Sequence, residues 1–232
     1  MTSHPPTRSV VGAAIADALA LLLPVMCAGC GAPDADICEE CRPALAPRVG
    51  TRWVDAAGGA VPVCSGLRFE GVAARIVRAV KEEGRTPLVR ALAPALRAAV
   101  AVFAEPGAVL VPLPTSRASF RRRGYRVPDL LARRAGLPVR HLLQTVRRTA
   151  DQRGLGRDQR RANVAKSMIS RDAASLRVIL IDDVVTTGVT LAEAVRALRE
   201  AGAGVIGAAT VAATPRRMSA GASGSVASET HR

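Results

Sequence analysis

The chain has 232 residues, 49% of them hydrophobic and only five of them aromatic, and it carries a formal net charge of +14. That length holds one ordinary domain with an appendage, or two small ones, and the apolar share excludes a chain disordered throughout. Five cysteines without a three-residue glycine period exclude disulfide-dense and collagen-like chains, and no run of about 20 apolar residues offers a membrane span.

Val10 to Met26 is apolar except for Asp17, and Cys27 follows. Ile15, Leu19, Leu22 and Leu23 fall on one helical face, and Pro24 ends the segment. The expectation is a helix over about 9–23. A secretory leader fits less well: Arg8 is the one firm positive charge ahead of the run, Asp17 interrupts it, and Met26 is a poor cleavage context. A cytoplasmic location follows. Cys27 and Cys30, then Cys38 and Cys41, form two CxxC pairs, the full tetrahedral thiolate set for a structural zinc. Gly29 and Gly31 suit the tight turns. Two disulfides or a redox CxxC are the alternatives. The cytosol disfavours the first, and the closeness of the pairs argues against the second. Cys64 reads as a core thiol.

Residues 1–48 are thus expected to form an N-terminal helix and zinc module. Residues 49–60 would be a linker, 61–213 the main domain and 214–232 a disordered tail. Within the main domain, 61–69 reads as a strand. Val72, Ile76, Val77 and Val80 mark a helix ended by Gly84, and Pro87 opens another to about Val102. Residues 108–114 form a strand running into a proline-stiffened loop. Between Arg117 and Arg177 lie 17 basic and four acidic residues; such a surface attracts a polyanion, or is simply a solvated face. Pro128 suits the first turn of a helix through Ala135. Residues 177–181 are a strand. Leu191, Ala194, Val195 and Leu198 mark a helix stopped by Gly202, and 205–212 is a further strand. Strands alternating with helices give an α/β fold, a parallel sheet covered on both faces.

The most specific segment runs from the strand into Asp182-Asp183, then Val184-Val185-Thr186-Thr187-Gly188-Val189-Thr190. Ligands of open α/β sheets bind beyond the carboxyl ends of strands. Paired carboxylates there accept from vicinal sugar hydroxyls, and Thr186, Thr187, Gly188 and Thr190 can cup a phosphate at the start of the next helix. An ordinary capped turn is the plain alternative, but it needs one such residue, not five. A Walker loop is excluded, because its Gly-Lys-Ser/Thr is missing.

This segment closely resembles the 5-phosphoribosyl-1-pyrophosphate (PRPP) motif of type I phosphoribosyltransferases. From about 20 to 212 the chain resembles the ComF family of competence-associated phosphoribosyltransferase-like proteins. The cysteine quartet, Phe69-Glu70-Gly71 with Lys81, Val111-Pro112-Leu113-Pro114 with Arg121-Arg122-Arg123-Gly124-Tyr125, and Arg148-Thr149, Gln152, Leu155, Arg160 and Asn163 carry that resemblance in order. It implies a type I phosphoribosyltransferase-like fold in which Asp182 and Asp183 bind ribose and Thr186, Thr187, Gly188 and Thr190 bind the 5′-phosphate. It also implies that Arg117, Arg148 and Arg160 serve pyrophosphate or a hood over the site, and that magnesium accompanies PRPP. Three departures bear on the acceptor, one of them Lys166-Ser167-Met168 in place of an aromatic-ending motif. Thr186 stands where some purine-specific members carry an acid, and Arg126-Val127 replace an Asn-Gln pair.

Two functions compete. One is a PRPP-dependent transferase or hydrolase. The other is a factor handling single-stranded DNA in uptake, in contact with the competence machinery, with a regulatory or vestigial PRPP pocket. Phe120 and Tyr125 flanking three arginines motivate the second, because stacking plus phosphate contact suits single strands.

Overall fold

The computed structural model describes residues 25–146 and 166–215. The helix expected over 9–23, Arg148, Arg160 and nearly all of the tail lie outside the described residues. After the four cysteines and a short 3-10 turn at Arg42–Leu45, strand β1 (Gly50–Val54) pairs antiparallel with β2 (Val61–Arg68). Helices α1 (Gly71–Glu82) and α2 (Val89–Ala101) follow, then β3 (Val109–Pro112). Two short helices, α3 (Arg117–Arg123) and α4 (Val127–Arg134), lead to β4 (Leu143–Thr145). Beyond the undescribed segment come β5 (Met168–Ser170), β6 (Arg177–Val185), α5 (Val189–Glu200) and β7 (Gly204–Ala213).

The main sheet has the order β1-β2-β7-β6-β3. The pairs β2–β7, β7–β6 and β6–β3 are parallel. The expected parallel sheet is therefore mixed, because β1 adds an antiparallel edge strand. That strand lies inside the stretch expected to be a linker. β4 and β5 form a separate antiparallel pair.

Period-two alternation divides β6 between two cores. Ile179 and Ile181 face the cluster built with Ile76, Val77 and Val80 of α1, Leu92 and Leu96 of α2, and Leu131 of α4. Val178 and Leu180 face the cluster of Leu191, Val195 and Leu198 of α5, with Leu143 and Met168. Both faces are thus covered, as the near-continuous apolar run of β6 requires. Cys64 is buried in the first cluster.

The connections position a crevice. The chain leaves β2 toward the β3 edge through α1 and α2 on one face. It leaves β6 in the opposite direction, to β7, through α5 on the other face. Divergent connections open a cleft at the carboxyl ends of the parallel strands. The acid pair of β6 stands at that end.

Candidate functional site

Asp182 and Asp183 lie within β6 itself. Pairing with β7 continues past them, Val184 opposite Ala212 and Val185 opposite Ala213. Asp183 continues the Ile179–Ile181 row toward α1 and is buried. Its Oδ1 accepts from Lys81 Nζ at 2.9 Å and from the Val184 N–H at 2.7 Å. Asp182 accepts the Asp183 N–H on Oδ1 at 2.8 Å. Burial pushes the Asp182 carboxyl up to about 8, and the neighbouring Asp183 charge adds to the rise against the opposing Lys81.

The loop beyond is braced from β1. Arg52 Nη2 donates to the Thr186 carbonyl at 2.8 Å. Gly188 has φ +81°, and a Cβ there would stand 2.8 Å from Val54 Cγ2, so backbone and space both require glycine. Gly188 is the N-cap of α5 and makes no side-chain cap, which leaves first-turn N–H groups for a ligand. Thr186, Thr187 and Thr190 are exposed around this buried glycine. Exposed hydroxyls and N–H groups at a helix start suit a phosphate.

The loop after β3 adjoins the acid pair. The Leu113 N–H donates to the Ile181 carbonyl at 2.9 Å. Ser116 caps α3 by accepting the Ser119 N–H at 3.2 Å, and the exposed Arg117 opens that helix. The structure therefore brings the 186–190 loop and the start of the loop after β3 to the end of β6 that carries Asp182 and Asp183, while Arg117 opens the helix beyond that loop. Arg148 and Arg160 are outside the described residues.

Sequence reading assigned no site role to Lys81 and Arg52. Lys81 carried a signal: it is one of two lysines among 33 basic residues. Arg52 gave none, because its partner is a backbone carbonyl 134 positions away. Tyr125 is not free to stack on a base. It packs against the first core, and its hydroxyl donates to the Val80 carbonyl. Phe120 is 42% exposed, with the Arg126 guanidinium 5.4 Å from its ring centroid.

The ligand atoms of Cys27, Cys30, Cys38 and Cys41 all lie within 4.8 Å of one another. Tetrahedral zinc with four thiolates sets its sulfurs about 3.8 Å apart. Cys30 and Cys38 Sγ are 3.5 Å apart, so the set fits one zinc ion. A Cβ at Gly29 would come within 2.5 Å of Cys41 Sγ, and Gly31 has φ +81°. Each glycine therefore meets a need of the first knuckle. Burial works to raise the Cys27 thiol, but N–H groups of Cys38, Cys30 and Gly29 outweigh it and hold the thiol near 6. Burial and the neighbouring sulfurs push Cys41 up to about 12. A closed four-sulfur set leaves no open position, so a metal here is structural.

Residues 120–222 match the family model described as phosphoribosyl transferase domain. A curated relative, competence protein F of Haemophilus influenzae, is 34% identical over 102 residues, covering 40% of this chain and 44% of that protein. The match to the phosphoribosyl transferase model takes in under half of this chain, and the similarity to the competence relative covers part of both proteins. The chain spans less than half the length of that relative. Similar solved structures include the adenine phosphoribosyltransferase of Rhodothermus marinus, at 20% identity, 69% of this chain, 80% of that chain and a TM-score of 0.33. Another is the orotate phosphoribosyltransferase of Aeropyrum pernix, at 16% identity, 75% and 90% coverage and a TM-score of 0.33. No described helix is long and apolar enough to cross a membrane.

Proposed function

We propose that this protein binds PRPP and transfers or hydrolyses its phosphoribosyl group with release of pyrophosphate. The observation that carries the reading is the acid pair on β6 running directly into a glycine-hinged, threonine-rich loop at the start of α5. Side-chain oxygens of Asp182 and Asp183 accept from the ribose hydroxyls. Hydroxyls and N–H groups of Thr186 to Thr190 take the 5′-phosphate. The sugar is then fixed at both ends, with its anomeric carbon turned toward the loop after β3. Departure of pyrophosphate builds negative charge near Arg117, which an arginine there stabilises. Magnesium, when bound, would neutralise the pyrophosphate oxygens. The competence relative and the exposed arginines of α3 around Phe120 support a second reading, single-stranded DNA handling. The engagement of Tyr125 with Val80 weakens it, since one stacking ring is removed.

Calorimetric titration with PRPP, with and without magnesium, tests the reading. PRPP binding is expected in the wild type and absent in the Asp182→Asn, Asp183→Asn double variant. Ligand at 100 times its dissociation constant would also add about 2.7 kcal/mol of stability. No heat and no thermal shift at millimolar PRPP would refute the reading and leave DNA as the leading ligand.

A further inference from the structure

Lys81 stands on the last turn of α1, with its side chain 29% exposed against 9% for Asp183. The apolar side of that helix, Ile76, Val77 and Val80, is anchored in the core, so the ammonium is delivered by a rigid element. A lysine head is a compact point charge with three donors, suited to meeting a single oxygen. Here it meets Asp183 Oδ1, which also accepts the Val184 N–H. Two donors on one oxygen fix the rotation of the carboxylate. Among the described residues, the hydrogen bonds to Asp183 side-chain oxygens fall on Oδ1. That leaves Oδ2 as the acceptor for an incoming hydroxyl.

Charge has the same logic. Two carboxylates side by side repel an anionic ligand. A cation bonded to Asp183 offsets that repulsion.

We propose that Lys81 is the positioning residue of the sugar subsite: its ammonium locks Asp183 through Oδ1, presents Oδ2 to a pentose hydroxyl, and balances the acid pair so that a pentose 5-phosphate binds without a divalent cation. This inference rests on the sugar-phosphate reading above. The ligand class is a phosphorylated pentose bearing a free hydroxyl, with or without a group on the anomeric carbon.

The test is calorimetry in magnesium-free buffer with ribose 5-phosphate and, separately, inorganic phosphate, followed by PRPP with magnesium. The proteins are the wild type, Lys81→Met, Lys81→Arg, Asp183→Asn and the Lys81→Met, Asp183→Asn double variant. Wild type is expected to bind ribose 5-phosphate with little change on adding magnesium. Lys81→Met should weaken ribose 5-phosphate about tenfold, the size of one lost charged hydrogen bond. It should leave inorganic phosphate unchanged, because phosphate meets only the 186–190 loop. Lys81→Arg should restore part of the loss. In the Asp183→Asn background, Lys81→Met should cost nothing further.

Wild-type binding that is insensitive to Lys81→Met would overturn the inference and leave the sugar-phosphate reading standing. Equal weakening of both ligands would overturn it too, since a merely structural lysine behaves that way. Wild type that binds neither ribose 5-phosphate nor PRPP would bring down the sugar-phosphate reading itself. Should Lys81→Met alone fail to fold, the double variant is compared with Asp183→Asn, and a tenfold difference in ribose 5-phosphate affinity between them overturns the inference.

Discussion

Asp182 is the residue whose surroundings most alter its chemistry. Burial first, and the Asp183 charge second, lift its carboxyl from 3.8 to about 8. In the unfolded chain it loses its proton near the ordinary carboxylate value. Between about pH 4 and pH 8 the folded state therefore holds the extra proton, and stability falls as pH rises through that window. Asp182→Asn removes the titration. Urea unfolding at pH 5 and pH 8 should show the wild type losing stability over the interval and the variant losing less. Parallel pH slopes in the two proteins would show that Asp182 is ionised throughout. Legibility at this scale followed sequence distance. The acid pair, the loop and the cysteines announce themselves by adjacency or short spacing. The Lys81–Asp183 contact spans 102 positions, so no local pattern encodes it.

At the scale of elements, apolar rows were legible and exposed ones were not. β6, β7, α1, α2 and α5 carry buried stripes that set their period. β1 does not: Trp53 is 58% exposed and Val54 is its one buried residue. α3 has no buried residue at all, and β4 and β5 are three residues each. Such elements are held by partners elsewhere. β5 shows how. Glu193 of α5 accepts the Met168 N–H at 3.0 Å, and Arg196 Nη2 donates to the Met168 carbonyl at 2.8 Å. Glu193 and Arg196 also pair with each other at 2.7 Å. Burial works against the Glu193 charge, but Arg196 and the Met168 N–H outweigh it and hold the carboxyl below its ordinary value. Glu193→Ala leaves the Met168 N–H unpaired and takes one partner from Arg196, which keeps the Met168 carbonyl and Glu200, for an expected loss of about 1–3 kcal/mol. Denaturant unfolding near neutral pH measures it. A loss under about 1 kcal/mol would mean that the clamp is replaced by solvent.

Across the whole molecule, the cysteine cluster is fastened to the sheet domain rather than tethered beside it. Ala28 and Ile37 pack against the first core, Arg75 donates to the Gly29 carbonyl, and Arg85 pairs with Asp36 at 2.8 Å. The two polar contacts lie along α1 or just beyond its end, and α1 is also the helix that delivers Lys81 to Asp183. A segment so rich in turns has little core of its own. Its order therefore depends on the metal, which supplies on the order of 10–16 kcal/mol in zinc-finger peptides. The purified protein should contain one zinc per chain by elemental analysis. Stripping it with a chelator should lower the melting temperature of the sheet domain in a single transition, because losing the module uncovers one side of α1. Cys38→Ser should reproduce that lowering and abolish its dependence on chelator. Two separate transitions, with only the lower one sensitive to metal, would instead show that the module melts alone and that α1 keeps its place without it.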